Sequence, residues 1–294
     1  MDESAELILR FEEHRTHLRA VAYRMLGSLS EADDAVQETW LRFNRTDTSD
    51  VENLAGWLTT VAGRVCLNML RSRESRREEP LELRMPDPVI SHEGGIDPEQ
   101  EALLADSVGL ALLVVLDSLS PAERLAFVLH DMFAVPFDAI APLIERTPAT
   151  TRQLASRARR RVQGQAPVPD PDLSRQRVAV DAFFAAARDG DFDALVSVLD
   201  PDVVLRSDGG VGHSLSVVLH SARTVASQAV TFGKLSPFAR PALINGIAGA
   251  AVVDTHGQRI SVMAFTVVDG KIVAIDVLSD PDRLRALDLS ALDR

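Results

Sequence analysis

Two proline-bearing segments divide this chain more firmly than any apolar pattern in it. Residues 78–106 hold Pro80, Pro86, Pro88 and Pro98, the pair Gly94-Gly95, and nine acids against Arg84 alone. The second segment, GQAPVPDPDL at 164–173, carries three more prolines. Each proline removes a backbone donor and pushes the residue before it out of the helical region, so neither segment can continue a helix. Their composition predicts extended, poorly packed connectors. The 294 residues therefore parse into 1–78, an acidic linker at 79–106, a second ordered stretch at 107–163, a proline-rich linker at 164–173, and a final domain at 174–294.

Both stretches before the second linker read as helical. SEAD at 30–33 predicts an N-cap at Ser30, opening a helix to Phe43 with Val36, Trp40 and Phe43 inward and Asp34, Gln37, Glu38 and Arg42 outward. After the polar loop NRTDTSD, a helix from about Asn53 to Arg77 puts Leu54, Leu58, Val61, Val65 and Met69 inside. Cys66 falls on this apolar helix and is expected in the core. His14 and His17 share a helix face with no further metal ligand nearby. Ser120 with Pro121 marks a helix start in SPAERLAFVLHDMF. Beyond Leu173 the texture changes: a helix stopped by Gly190, a short helix over 192–199, then the strand-like runs VVLRS, ALINGIAGAAVVDT, RISVMAFTVVDG and KIVAIDVLS. Asp269-Gly270 between the last two is a hairpin signal. The fold class is thus two all-α domains followed by an α+β domain with a curved antiparallel sheet.

The formal net charge is −12, and −8 of it sits in residues 78–106. Against that background, RTPATTRQLASRARRRV at 146–162 holds six arginines and no acid. FDAIAPLIERTPATTRQLASRARRRV reads as helix, tight turn, helix, with Thr147 capping, Pro148 at the first helical position, and Pro142 bending the first helix. Leu154, Ala158 and Val162 form the expected inward seam, leaving Thr151, Arg152, Gln153, Ser156, Arg157, Arg159 and Arg160 outward. Amide and guanidinium groups on such a helix suit base edges and phosphates in a major groove. The competing reading is a solvated arginine-rich surface. One cysteine fits a reducing compartment, the acidic N-terminus lacks the pattern of a signal peptide, and no apolar run reaches membrane-spanning length. A cytoplasmic, non-membrane protein is expected, with no Walker-type or dinucleotide-binding glycine loop and no cofactor or metal.

These motifs, in this order, resemble an extracytoplasmic-function (ECF) sigma factor, the promoter-specificity subunit of bacterial RNA polymerase. DDAVQETWLRF resembles the core-binding helix of region 2, and NLAGWLTTVAGRVCLNMLRSR the helix that melts and reads the −10 element. LSPAERLAFVLHDMF and the helix pair at 137–162 resemble region 4, which reads the −35 element. The likeness extends to the subgroup with a C-terminal SnoaL-like domain, whose three motifs are matched by LRMPDP at 83–88, SDGGVG at 207–212 and SDPDRL at 279–284.

The resemblance implies core polymerase contacts at Asp34, Gln37, Glu38 and Arg42, and −10 contacts at Arg64, Asn68, Arg71 and Arg73. It implies −35 contacts on the arginine-rich helix, and regulatory contacts at Asp208, Gly209, Gly210, Asp280, Pro281 and Asp282. The partners implied are core RNA polymerase and promoter DNA, together with an intramolecular contact between the SnoaL-like domain and the sigma regions, in a chain that is a monomer when free. The loop 44–52 would hold an unstacked base without any aromatic side chain. The acidic linker either imitates nucleic acid in the RNA channel or is simply a soluble tether. Within the last domain, Asp208, His213, His220, Asp254 and His256 are the polar groups an enzyme would need, but nothing in the sequence pairs them, and no catalytic residue is assigned. Two other classes remain open: a one-component DNA-binding regulator with a sensor domain, and a SnoaL-type enzyme fused to a DNA-binding module.

Overall fold

The structure, a computed structural model, describes residues 3–48, 50–76, 84–92, 109–210 and 215–287. They fall into two compact units. One is built from the described parts of Met1–Pro80 and Leu113–Gln165, the other from those of Leu81–Gln100, Asp106–Leu112 and Ala166–Arg294. His213, most of the acidic linker and Val211 and Gly212 of SDGGVG lie outside the described residues.

The first unit opens with α1 (Glu3–Leu26), α2 (Leu29–Phe43) and α3 (Leu54–Arg76). Phe11, Leu18, Val36, Phe43, Leu58 and Ala62 form its core, with Trp40 and Trp57 packed against it. Phe11 meets Trp40 edge-on at 5.1 Å and stacks on Phe43 at 5.9 Å. Such pairs contribute ~0.5–1.5 kcal/mol each beyond their burial. Two details differ from expectation. Helix α2 starts two residues early, at Leu29, and its N-cap is Ser28 rather than Ser30. The apolar face of α3 is also broader: Thr59, Ala62, Cys66, Leu67 and Leu70 are buried, while Val61 and Met69 are only half-buried. This helix packs on both sides, so a single stripe understates its buried face.

Cys66 is fully buried, and desolvation pushes its thiol up to about 12. A thiolate is needed for reaction. The native chain is therefore expected to leave Ellman's reagent untouched at pH 8 and to release one thiol equivalent after denaturation in guanidinium; prompt reaction of the folded protein would contradict the buried placement.

The unit continues from Leu113 in α4 (Leu110–Asp117) through α5 (Pro121–Phe127) with a π-turn over Val128–Met132, α6 (Phe137–Ile140) running into a 3-10 turn at Ala141–Ile144, and α7 (Pro148–Gln165). Ser120 and Glu123 close a reciprocal capping box at the start of α5. Pro142 sits where α6 tightens into the 3-10 turn, as its missing donor requires. Glu145, at φ 56°, makes the left-handed turn into α7.

Gly63 lets the π-turn approach α3: an added Cβ would lie 2.9 Å from Leu129 Cδ1. Arg124, 3% exposed, donates to Met25 O at 3.0 Å and to Asp117 at 2.8 Å. His17 Nε2 lies 3.0 Å from Thr59 Oγ1, and its ring meets Phe133 edge-on at 5.2 Å. Burial first, then His14 and Arg24, hold the His17 imidazole below its ordinary value. A base with a depressed folded pKa contributes stability that is present above its unfolded value, about 6.5, and lost as pH falls from there through the lower folded value. Melting is therefore expected to drop between pH 7.5 and 5.5, and His17→Gln should flatten part of that slope. An identical slope in the variant would remove His17 from the account.

The second unit is an α+β module. Helices α8 (Leu173–Asp189) and α9 (Phe192–Val198) precede β2 (Leu199–Asp208), β3 (Val217–His220) and α10 (Ala222–Phe232), and a 3-10 turn at Gly233–Phe238 follows. Then come β4 (Ala239–Ile244), β5 (Ile247–Val253), β6 (Arg259–Val268), β7 (Lys271–Leu278) and α11 (Pro281–Ala286). Gly190 ends α8 at φ 70°, as its sequence position predicts. The seven-stranded order is β1-β4-β5-β6-β7-β2-β3, with β1 (Ile90–Ser91) supplied by the first linker, and it is antiparallel except for the parallel pair β2/β7. Val180, Phe183, Leu195, Val203, Phe265 and Ile275 anchor its core.

The run ALINGIAGAAVVDT is two strands, not one: Asn245 and Gly246, at φ 50° and 77°, form a tight hairpin between β4 and β5. Asp269 and Gly270 make the hairpin predicted for them, at φ 51° and 74°. The proline-rich segment before α8 is tied down rather than loose. Asp170 N donates to Val267 O at 2.8 Å, and the Asp170 carboxylate accepts from Asp269 and Gly270.

The first linker departs most from expectation. Its described part, residues 84–92, is not a loose tether: Met85, Val89, Ile90 and Ser91 are each at least 95% buried. Strand β1 (Ile90–Ser91) pairs antiparallel with β4, Ile90 opposite Ile244 and Ser91 opposite Leu243. The connector has been added to the edge of the second unit's sheet.

Candidate nucleic-acid interface and connector clamp

Helix α7 begins sharply because Thr147 Oγ1 accepts from Thr150 N at 3.2 Å and Pro148 needs no donor there. Its inward seam is Thr151, Ala155 and Ala158, all fully buried, while Leu154 and Val162 are half-buried. Thr151 is therefore not an outward group, contrary to expectation: its hydroxyl donates to Thr147 O at 3.0 Å inside the helix–helix contact. Small side chains let α7 lie close to its neighbours, which turns the buried face by one residue. Arg159 is also engaged, with Nε donating to Asp131 at 2.7 Å. Arg161 reaches Ser118 O at 3.3 Å.

What remains exposed is Arg152, Gln153, Ser156, Arg157 and Arg160, a stripe with no acid anywhere on the helix. The Arg152 guanidinium lies 5.3 Å from the centre of the Phe137 ring, which restrains it without consuming its donors. Such a surface can neutralise phosphates and present bidentate donors to base edges.

On α3, Arg64, Asn68 and Arg71 share an exposed stripe at four- and three-residue steps. Arg73 leaves it. Its side chain is half-buried and engages Glu31 at the start of α2 and Leu26 O at 3.2 Å, fastening α3 to the α1–α2 junction. On α2, Asp34 and Gln37 are exposed, while Glu38 and Arg42 pair with each other at 2.9 Å. Leu41, 40% exposed between them, adds an apolar element that the charge pattern did not reveal.

The second site lies wholly in the α+β unit. Asp208, 4% exposed at the end of β2, accepts from Met85 N at 2.9 Å and from Arg283 at 2.6 Å. Arg283 also donates to Met85 O and to Asp87, each at 2.6 Å. One guanidinium thus joins the connector to the sheet. Asn245 completes the hold: its amide oxygen accepts from Val89 N at 3.0 Å, and its backbone N donates to Val89 O at 2.8 Å.

Gly210, at φ 89°, has its own amide on Asp208, and an added Cβ would stand 2.9 Å from Asp280 Oδ2. Gly209 N donates to Ser216. Asp280 caps α11 through Asp282 N and Arg283 N, and Pro281 takes the first helical position. Asp282 is exposed and engages only Arg285 among the described residues. The expected trio Asp280, Pro281 and Asp282 therefore builds the start of α11, while Arg283, not singled out from the sequence, makes the contact. A lone arginine following two acids and a proline was the available signal.

Of the polar groups considered for catalysis, His220 is exposed on the edge strand β3, and Asp254 closes a turn by accepting from His256 N and Gln258 N, both at 2.8 Å. Asp276 is fully buried with Arg206 at 3.1 Å, and burial raises its carboxyl above the ordinary value. Among the described residues no group of three or more His, Cys, Asp or Glu side chains converges as a metal site would need, and no helix is long and apolar enough to cross a membrane.

The geometry is that of a helical unit with an acid-free arginine face and, in the same chain, an α+β unit built on a seven-stranded sheet. Residues 10–76 match the sigma-70 region 2 family model, and residues 109–162 match that of sigma-70 region 4. The chain is 37% identical over 290 residues to the ECF RNA polymerase sigma factor SigJ of Mycobacterium tuberculosis, covering 94% of this chain and 92% of that protein. It is 35% identical over 279 residues to the "Probable ECF RNA polymerase sigma factor SigI" of the same species, covering 93% of each. The crystal structure of M. tuberculosis SigJ superposes with a TM-score of 0.79 at 34% identity, covering 96% of this chain and 99% of that one. The chain belongs to the ECF RNA polymerase sigma factor family, with a SnoaL-like C-terminal domain.

Proposed function

We propose that this sigma factor acts in the cytoplasm, engaging core RNA polymerase through α2, the −10 strand through Arg64, Asn68 and Arg71, and the −35 element through Arg152, Gln153, Ser156, Arg157 and Arg160. The observation that carries this reading is the acid-free exposed face of α7 in a chain of net charge −12. Asp34 and Gln37 supply an exposed polar surface for the polymerase, with Glu38 and Arg42 held beside them as a pair. Arg73 and Arg159 support these surfaces rather than contact DNA, because each is already paired with a carboxylate of its own unit.

The C-terminal module has a regulatory role in this reading. It holds the connector between regions 2 and 4 by strand addition and by the Asp208–Arg283–Asp87 clamp. The module thereby governs how much free chain separates the two promoter-reading regions, and no catalytic step is assigned to it.

Run-off transcription with purified bacterial core polymerase, the full chain and promoters from the encoding genome tests the proposal. Promoter-specific product that requires both core enzyme and this chain supports it. Sequence-specific binding to duplex DNA in the absence of polymerase, with no initiation in its presence, would instead mark a one-component regulator.

A further inference from the structure

The C-terminal module encloses a cavity of about 160 Å³ between α8, α10 and the sheet. At ~10–15 Å³ per water-sized group, it has room for roughly 11–16 such groups. Thirteen of its eighteen lining residues are apolar. The other five are Ser207, Gln228, Ser236, Ser261 and Ser279, so among the described residues the lining offers hydroxyls and an amide but no charge. An ion entering it would lose water with nothing to replace it. The lining includes Phe232, 42% exposed, so the cavity reaches the surface near the end of α10.

Two of these serines stand directly behind the connector clamp. Ser207 and Ser279 hydroxyls are 3.5 Å apart across the β2 and β7 ends. Ser279 donates its backbone N at 2.7 Å, and its hydroxyl at 3.2 Å, to the carbonyl of Asp208. The carboxylate of that same residue holds Met85 N and Arg283. One residue therefore faces the cavity lining with its carbonyl bonds and the connector with its side chain.

We propose that this cavity binds a neutral, largely apolar small molecule bearing a hydroxyl or carbonyl group, and that its binding and the docking of the connector reinforce each other. A ligand bonded to Ser207 or Ser279 needs the β2 and β7 ends as they stand when Asp208 is clamped, so it binds the docked form better. Linkage then requires the docked connector to tighten the ligand by the same factor. The coupling half rests on the regulatory reading above; the binding site does not.

The test uses the full chain and 2-naphthol, a neutral bicyclic phenol of about the cavity's size, with 2-naphthoate as its anionic counterpart. Saturable 1:1 binding of 2-naphthol, with 2-naphthoate at least about tenfold weaker, is the expected result. Ala229→Trp, which fills the cavity from α10, should abolish it; Val252→Phe does the same from β5 should the first variant fail to fold. Saturating 2-naphthol should slow hydrogen exchange at the Met85 amide several-fold, and Arg283→Gln should weaken 2-naphthol by a matching factor. No saturable binding, or binding that survives both filled variants, overturns the site. Binding without any change in exchange overturns the coupling. Run-off transcription is measured separately, so the sigma assignment and the ligand site fail independently.

Discussion

Replacing Arg157 and Arg160 together by Ala is expected to remove at least ~2 kcal/mol of promoter affinity, about a 30-fold loss of run-off product at limiting promoter. Both side chains are exposed, and the structure gives neither an ion-pair partner among the described residues that its loss would orphan. The melting temperature should therefore stay within a degree or two. Two signatures separate DNA contact from general damage. The salt dependence of promoter binding should flatten by roughly one unit of slope for each phosphate no longer neutralised. A promoter with a scrambled −35 element should also no longer be distinguished from the intact one. Arg159→Ala is the contrast. It leaves Asp131 without its partner and should lower stability first. Undiminished run-off from the double variant would remove α7 from promoter recognition.

Arg283→Ala should have the second large effect. The guanidinium is mostly buried and serves Met85 O, Asp87 and Asp208 at once, and its removal strands the buried Asp208 carboxylate. Breaking a buried pair costs ~3–5 kcal/mol, and partial exposure of Arg283 lowers that to about 2–4 kcal/mol. Because the clamp and the β1–β4 pairing hold different parts of the connector, the release should be graded. Exchange at the Met85 amide should accelerate roughly 30-fold or more, while Val89, bonded to Asn245, and the β1 amides should change less. Asp282→Ala, which touches only exposed Arg285 among the described residues, should leave all of them within about twofold. Exchange at the Met85 amide that is no faster in Arg283→Ala than in Asp282→Ala would show that Arg283 does not hold the connector.

These expectations depend on features that were unequally visible in the sequence. Local chemistry read well. The Ser120 cap, Thr147 with Pro148, the stop at Gly190 and the Asp269-Gly270 hairpin are each decided within about four residues, and each stands where the sequence puts it. The exposed arginines of α7 and α3 follow from helical period in the same way. Side chains that turned out to be engaged did not, because their partners are distant: Arg73 meets Glu31 across 42 residues and Arg159 meets Asp131 across 28. Thr151 misled because a hydroxyl that can bond to its own helix is free to be buried. Asn245-Gly246 is a hairpin signal that the apolar runs on either side conceal, because together they look like one continuous strand. The connector strand could not have been read at all: β1 is two residues long, lies among prolines, and finds its pairing edge more than 150 residues later.

That separation has a consequence in time. Met85 and Arg283 are 198 positions apart, so on the ribosome the two promoter-reading regions emerge well before the residues that clamp the segment between them. Synthesis at ~5–20 residues per second makes the gap between Gln165 and Arg283 roughly 6–24 s long. During that interval a nascent chain has its DNA-reading helices but no brace. Chains stalled a few dozen residues past Gln165 should therefore be cut readily by protease within residues 84–92, whereas the released full chain should resist cleavage within that stretch.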